Sequence, residues 1–464
     1  MLELIIIAAY FIGMLVIGII SHRKAKEADN FFVAGRQGSV FSITGSLMAT
    51  IIGGSATIGM AGLGFTRGLT GAWWLLVGSI GLVILGFLWA KKIRQFALYT
   101  LPELVEKQYD HRVALIASIL IVIAWMGIIA GQIIAAGQIM SVLGIGNPFW
   151  WMLTFAVIFI TYTMLGGQHA IIKTDSLQII IIFAGIFGGL ALLLQHLGGL
   201  DGLQASLSPD YFAFPTSPQF DGYELIKLLL LVGLTYVVGP DMFSRLFCAK
   251  DGNVARKSTF WAALLIIPFA FGITAIGMGA AALFPGITPE QAFPTVIKEI
   301  LPPFAGGIIL AALLCAVMSS ADTTLLSAST ILTIDIIGKF KSSLKQDEIL
   351  KLSRWGIVIL GIGSLIMALV LKGVISALLF AYTIYTAGII LPVIAGFYRD
   401  WLKVTPLGAL TAIIGGGSIA LISKLLAIKY LDLGSILIGA LLLFIVSFID
   451  SKLKKQGTEA NLKQ

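Results

Sequence analysis

Runs of about twenty apolar residues, separated by short polar connections, fill the chain from Leu2 to about residue 450. A helix rises about 1.5 Å per residue, so a run of that length crosses the ~30 Å hydrocarbon core of a bilayer. Windows of this size predict about thirteen spans, at 2–20, 40–66, 71–90, 113–142, 148–166, 172–195, 224–246, 256–284, 302–337, 352–371, 374–397, 405–424 and 431–450. In lipid every backbone polar group needs a partner within the protein, so such runs must be helical. The lack of ten-residue alternating segments argues against a barrel. The expected fold class is an all-α polytopic membrane protein, one transmembrane domain over 1–464. The first span lacks the basic leader of a cleaved signal peptide and reads as a retained helix.

Composition agrees with the pattern. The 464 residues are 58% hydrophobic and 12% charged, against about 25% charged in a soluble domain. Of 31 Lys and Arg, all but Arg67, Lys227, Lys298, Lys372, Lys424 and Lys429 lie in the tail, in the connections that follow odd-numbered spans, or within the first few residues of the span ends that adjoin those connections. Basic residues mark the cytoplasmic side, which predicts an outside N-terminus, a cytoplasmic C-terminus and a multi-pass protein of the cell membrane. The net charge of +8 then belongs to a face turned to anionic lipid, and nucleic acid need not be invoked. Cys248 and Cys315 lack metal-type spacing and read as packing residues.

Three connections carry further signals. The longest, 196–223, holds Tyr211, Phe212, Phe214 and Pro215 without a Lys or Arg, and predicts an outer lid or short helical cap. On the inner side Thr100, Pro102 and Glu103 form a helix-start signal. The polar, basic tail 452–464 lacks apolar periodicity and is expected to be a disordered cytoplasmic end.

Two spans are interrupted. Gly53-Gly54 weakens the second, because each glycine costs about 1 kcal/mol relative to alanine and exposes carbonyls. Gly239-Pro240 breaks the seventh by removing a donor. Each break lies in the first helix of a group of five, spans 2–6 and 7–11, and groups of five must enter the membrane in opposite senses. That is the inverted repeat of many secondary transporters. In the ninth span Ala316, Ser319, Ser320 and Thr323 fall at i, i+3, i+4 and i+7 and share one face. Such a face suits a small hard cation such as sodium, which takes oxygen ligands. The same spacing also serves helix packing in lipid.

Ala49-Thr50-Ile51-Ile52-Gly53-Gly54-Ser55 with Gly59-Met60-Ala61-Gly62, Leu165-Gly166-Gly167-Gln168-His169-Ala170 with Thr174-Asp175 and Gln178, Gly239-Pro240-Asp241 with Arg245, and Met318-Ser319-Ser320-Ala321-Asp322 occur in this order. In these motifs the chain resembles the sodium:solute symporter family over nearly its whole length. The resemblance implies a leucine-transporter-like core at about 40–398, with extra helices at about 2–20, 405–424 and 431–450. It implies sodium as the co-transported ion, held by the carbonyls of Ala49, Ile52 and Ala316 and the hydroxyls of Ser319 and Ser320. It further implies alternating access, a small organic solute as second cargo, and a monomer sufficient for transport.

Three acidic residues stand apart. By position Asp175 reads as a solvated boundary residue, whereas the resemblance implies an aspartate on the inner sodium pathway. Asp322 is open between pairing with a base, capping a neighbouring helix and steering the ion. Asp241 and Arg245 stand at i, i+4 and predict a helical ion pair. Alternatively Asp241 faces the cavity and meets a substrate amine. Candidate cavity residues are Gly53, Gly54, Ser55, Thr57, Gln132, Gln138, Thr235, Tyr236, Tyr382 and Tyr385. Sugar transporters of the resembled family carry a histidine or glutamine beside the first break, where this chain has Ser55-Ala56, so a sugar is disfavoured. Hydroxyls and aromatic rings suit a small amino acid, another zwitterion or a monocarboxylate, its anionic end resting on half-helix N-termini. A sodium-dependent sensor needs a signalling domain, and none follows the last span. An uncoupled facilitator differs from a symporter only in ion dependence. An enzyme or primary pump is excluded by the lack of a phosphate-cradling loop or catalytic cluster.

Overall fold

The computed structural model describes residues 2–22, 27–141, 143–144, 146–341, 345–371, 373–426, 428 and 431–462. Among the described residues there is no β-strand, and eleven helical stretches are long and apolar enough to cross a membrane. The helices used below are α1 (Leu2–His22), α2 (Val40–Ile51), α3 (Met60–Arg67), α4 (Trp73–Leu88), α5 (Leu101–Gln108), α6 (His111–Ser141), α7 (Pro148–Leu197), α8 (Gly222–Leu228), α9 (Pro240–Cys248), α10 (Gly252–Leu283), α11 (Pro303–Ile331), α12 (Gln346–Val370), α13 (Val374–Tyr385), α14 (Leu391–Phe397), α15 (Pro406–Leu425) and α16 (Leu431–Leu462).

Two reversals explain why eleven stretches stand against the thirteen spans expected. With 50 residues, α7 would be about 75 Å long if straight, more than twice the bilayer core. It doubles back at Gly167, whose φ of 53° and ψ of −157° are open to glycine alone. Tyr162 and Thr174, which a straight helix would hold about 18 Å apart, meet through their hydroxyls at 2.7 Å. The second reversal is the turn between α3 and α4, at Gly68 with φ of 65°. There a Cβ on Gly71 would come within 2.8 Å of the Gly64 nitrogen.

The interrupted spans are broken where the glycines and proline stand. After α2 the backbone leaves the helix at Ile52, φ −84° and ψ 76°, and resumes through a wider turn over Ser55–Gly59 into α3. The seventh span leaves the helix at Val238, φ −133° and ψ 80°, and restarts at Pro240, which needs no N–H in the first turn. Other helices satisfy the freed backbone groups, as a lipid-embedded break requires. The Gly54 N–H donates to Gln132 Oε1 on α6 at 2.7 Å. Near the second break, Tyr385 on α13 donates to the Val238 carbonyl at 2.5 Å, and Thr386 to that of Leu231 at 3.0 Å.

Around these breaks the bundle is organised on α11. Every residue from Ile309 to Ile331 is buried, so this helix is enclosed on all sides and its serines and threonines face protein. The two C-terminal helices pack on each other so closely that a Cβ on Gly408 would meet Ser447 Oγ at 2.0 Å.

The connection signals take the expected form. Thr100 Oγ1 accepts the Glu103 N–H at 3.2 Å and Glu103 returns to the Thr100 N–H at 3.3 Å, a capping box that starts α5. The long connection folds down as a short helix, Gly199–Ser206, and a cap on the Gly68 turn. Trp73 stacks on Phe214 at 5.2 Å, and the Tyr211 hydroxyl reaches the Phe65 carbonyl at 3.0 Å. The tail departs from expectation: α16 continues without a break to Leu462. Lys454 at i+4 pairs with Asp450 at 2.9 Å across the point where disorder was expected to begin. Residues 463–464 lie outside the described residues.

Candidate functional site

Where α2 ends, its last carbonyls meet the hydroxyl face of α11. Ser319 Oγ donates to the Ala49 carbonyl at 2.8 Å and lies 3.0 Å from that of Ala316. Ser320 Oγ lies 3.2 Å from the Ala49 carbonyl and 2.7 Å from that of Thr50. Four of the five sequence-derived ligand residues are thus joined by direct hydrogen bonds. Ile52, the fifth, is the residue at which the helix unwinds. The Thr50 carbonyl was missed, because nothing in a sequence tells which of three consecutive carbonyls will turn toward a neighbouring helix.

Gly53 and Gly54 bring the broken strand against its neighbours. A Cβ on Gly53 would come within 2.5 Å of Ser320 Oγ, and one on Gly54 within 2.2 Å of the Ala135 Cβ. Thr57 Oγ1 donates to the Gly53 carbonyl at 2.9 Å, so its hydroxyl ties the break together.

Beside the serine cluster lies a cavity bounded by both breaks and by α6, α11 and α13. Of the residues expected there, Ser55, Gln132, Thr235, Tyr236 and Tyr382 line it, together with Thr50, Trp125, Ile128, Asp241, Ser320 and Thr324. Gly53, Gly54, Thr57, Gln138 and Tyr385 do not. Helical spacing accounts for Gln138: Trp125, Ile128 and Gln132 fall at i, i+3 and i+7 on one face, and Gln138, six residues on, turns away. Thr324, at i+4 from Ser320, was findable by extending the face of α11 one turn.

On the other side of the serine cluster is a buried ionic network. Arg245 on α9 is fully buried, and its guanidinium lies 3.7 Å from Asp175, 3.3 Å from Thr50 Oγ1 and in hydrogen-bond contact with Thr323. The pair expected between Asp241 and Arg245 is not formed. The guanidinium turns toward three other helices, and Asp241 Oδ1 accepts the Met242 N–H at 3.1 Å. Asp175 is no solvated boundary residue: it is fully buried and accepts a hydrogen bond from Ser46. Asp322 is fully buried too, with Arg245 and Asp175 as electrostatic neighbours. One oxygen of each aspartate, Asp175 Oδ1 and Asp322 Oδ2, lacks a hydrogen-bond partner among the described residues. α1 reaches this region through Tyr10, which accepts from Gln178 at 2.9 Å. Both cysteines are buried and free, and the described residues hold no cluster of His, Cys, Asp and Glu suited to a transition metal.

The chain is similar to a sodium/glucose cotransporter of Vibrio parahaemolyticus, 26% identical over 441 residues that cover 87% of this chain and 81% of the relative. It is similar to a sodium/pantothenate symporter of Escherichia coli (strain K12), 26% identical over 483 residues that cover 97% and 96%. A sodium-coupled sialic acid symporter, solved in a substrate-bound outward-open state, superposes with a TM-score of 0.82 at 18% identity, covering 97% of this chain and 98% of that one. The superposition shows the fold, a leucine-transporter-like core of inverted repeats. Family and fold are those of transporters and not of enzymes. The profile of the sodium:solute symporter family matches residues 31–416, and this chain belongs to that family.

Proposed function

We propose that the chain imports a small organic solute together with sodium, by alternating access across the cell membrane, with its N-terminus outside and its C-terminus in the cytoplasm. A single chain carries out the cycle. The ion sits between α2 and α11, on the carbonyls of Ala49, Ile52 and Ala316 and the hydroxyls of Ser319 and Ser320. The observation that carries this reading is the meeting of Ser319 and Ser320 with the Ala49 and Thr50 carbonyls at 2.7–3.2 Å. Hydroxyl oxygens that rotate their protons away become ligands alongside those carbonyls, and a singly charged hard ion is served by neutral oxygens.

The solute occupies the cavity next to that cluster, with a small amino acid, another zwitterion or a monocarboxylate as the candidates. Relatives named for glucose and for pantothenate support solute choice by the cavity on a shared scaffold. Asp175 lines the inward route of the ion, one oxygen tied to Ser46 and the other without a partner. One sodium entering down 100 mV releases about 2.3 kcal/mol, roughly forty-fold accumulation of solute.

Counterflow in proteoliposomes, with and without sodium, tests this reading. Exchange that requires sodium supports symport, and equal exchange in potassium would mean uncoupled facilitation.

A further inference from the structure

We infer that the transported solute carries a protonated nitrogen, and that Asp241 is the residue that recognises it. The inference rests on the reading of this cavity as the solute site of a sodium-coupled symporter, and narrows its solute class.

Asp241 is the one charged side chain among the described residues that line the cavity. It stands in the first turn of α9, and its Oδ1 accepts the Met242 N–H. No Lys, Arg or His nitrogen lies within 4 Å of it among the described residues. Arg245, one turn along the same helix, is the cation that helical spacing offers. That guanidinium is engaged by Asp175, Thr50 and Thr323 and reaches Asp241 only as an electrostatic neighbour, without a direct ion pair. Asp241 is therefore a carboxylate in a protein-lined cleft without its own counter-ion, an expensive arrangement unless the ligand supplies one.

The remaining chemistry of the cavity favours the same cargo. An anion would be drawn to the backbone donors that helix breaks release. Two of those donors are already used: the Gly54 N–H by Gln132 Oε1 at 2.7 Å and the Met242 N–H by Asp241 itself at 3.1 Å. A carboxylate without an amine would meet no cation from the protein and would face Asp241. A sugar would leave Asp241 uncompensated. An ammonium group pairs with the carboxylate by charge-assisted hydrogen bonds. Trp125, Tyr236 and Tyr382 also line the cleft, and their ring systems attract cations where solvent is excluded. The Ser55 hydroxyl, and the lone pairs of Thr235 Oγ1, whose proton goes to the Val232 carbonyl at 2.6 Å, are left to orient the rest of a small molecule.

The test uses the purified full-length protein in detergent with sodium chloride. Its melting temperature is followed against the twenty amino acids and small primary, secondary and tertiary amines, each set beside a nitrogen-free counterpart such as L-lactate for L-alanine. At least one amine is expected to raise the melting temperature while its counterpart does not. Asp241→Asn is expected to weaken that amine by about tenfold or more, the loss that follows removal of a charge-assisted hydrogen bond. A nitrogen-free acid that binds as well as its amine, or no amine that binds at all, overturns the proposal. So does an unchanged affinity in Asp241→Asn. The matched pairs on the unaltered protein keep the test decisive if the variant fails to fold. Stabilisation by sodium alone is read in the same experiment, so a failed ion site is distinguished from a wrong solute class.

Discussion

The Ser320 hydroxyl lies 2.7 Å from the Thr50 carbonyl, and both residues also line the solute cavity. A single contact between α2 and α11 is therefore a wall shared by the proposed ion site and the proposed solute cleft. Whatever sets the position of Ser320 acts on both ligands.

Replacing Ser319 and Ser320 together by alanine removes two hydroxyl oxygens and leaves the shape of α11 intact. Apparent sodium affinity should fall by about tenfold or more, about 1.4 kcal/mol per decade. Sodium titration of the melting temperature and of uptake reads the change, and an unaltered sodium dependence would remove these serines from the site.

The two glycines of the first break should act differently on ion and solute. Gly53→Ala drives its Cβ into Ser320 Oγ, and Gly54→Ala drives its Cβ into Ala135 on α6, where Gln132 lines the cavity. Gly53→Ala is expected to weaken both ligands, because its Cβ also comes within 2.7 Å of Gln132 Oε1, whereas Gly54→Ala is expected to weaken solute more than sodium. Calorimetric titration of each variant with each ligand measures the losses, and a Gly54→Ala that weakens sodium as much as solute would rule out this division of labour.

Asp175→Asn keeps the volume of the side chain and its contact with Ser46, and removes the charge opposite Arg245. Transport and sodium release into the lumen of right-side-out vesicles should slow, with solute binding in detergent nearly intact. Stopped-flow release and equilibrium binding separate the two effects. If the protein fails to fold, Asp175 is a counter-ion for Arg245 alone, because a buried pair that loses one member costs about 3–5 kcal/mol.

Ion and solute should bind with reciprocal cooperativity. On the proposed site, sodium would order the unwound strand after Ala49, and the solute would then use that strand without meeting its full ordering entropy. A coupling of about 1–3 kcal/mol, roughly five- to 150-fold, is expected, and saturating sodium must tighten the solute by the same factor as the solute tightens sodium. Equal affinities with and without the partner ligand would exclude the coupling.

The apolar runs, the two breaks and the serine face of α11 were legible in the sequence because each is written in local periodicity or in backbone chemistry. Trp125 shares the face of Gln132 by the same rule, and is hard to single out because a tryptophan in an apolar helix reads as one more packing residue despite its indole N–H. The partner of Arg245 was not legible. Spacing along α9 pointed to Asp241, and the side chain instead follows Thr50, Asp175 and Thr323, which stand 195, 70 and 78 positions away. Such long-range choices are made by packing. The tail misled for a related reason: its charges support a helix through i, i+4 pairs that a hydrophobic pattern does not register.

The guanidinium of Arg245 also bears on the speed of the cycle. Thr50 and Asp175 belong to the first five-helix repeat, and Arg245 and Thr323 to the second, so one fully buried charge is held by groups from both halves. Alternating access in this architecture moves one bundle against the other. Every such movement that parts these helices must admit water to a dry cation, or pass it to the unpartnered oxygen of Asp322, before the ion can leave. The hydration of a charge then enters the activation barrier. Turnover would therefore register changes in this cluster as altered rates and activation enthalpies, even where equilibrium binding of sodium and solute is untouched.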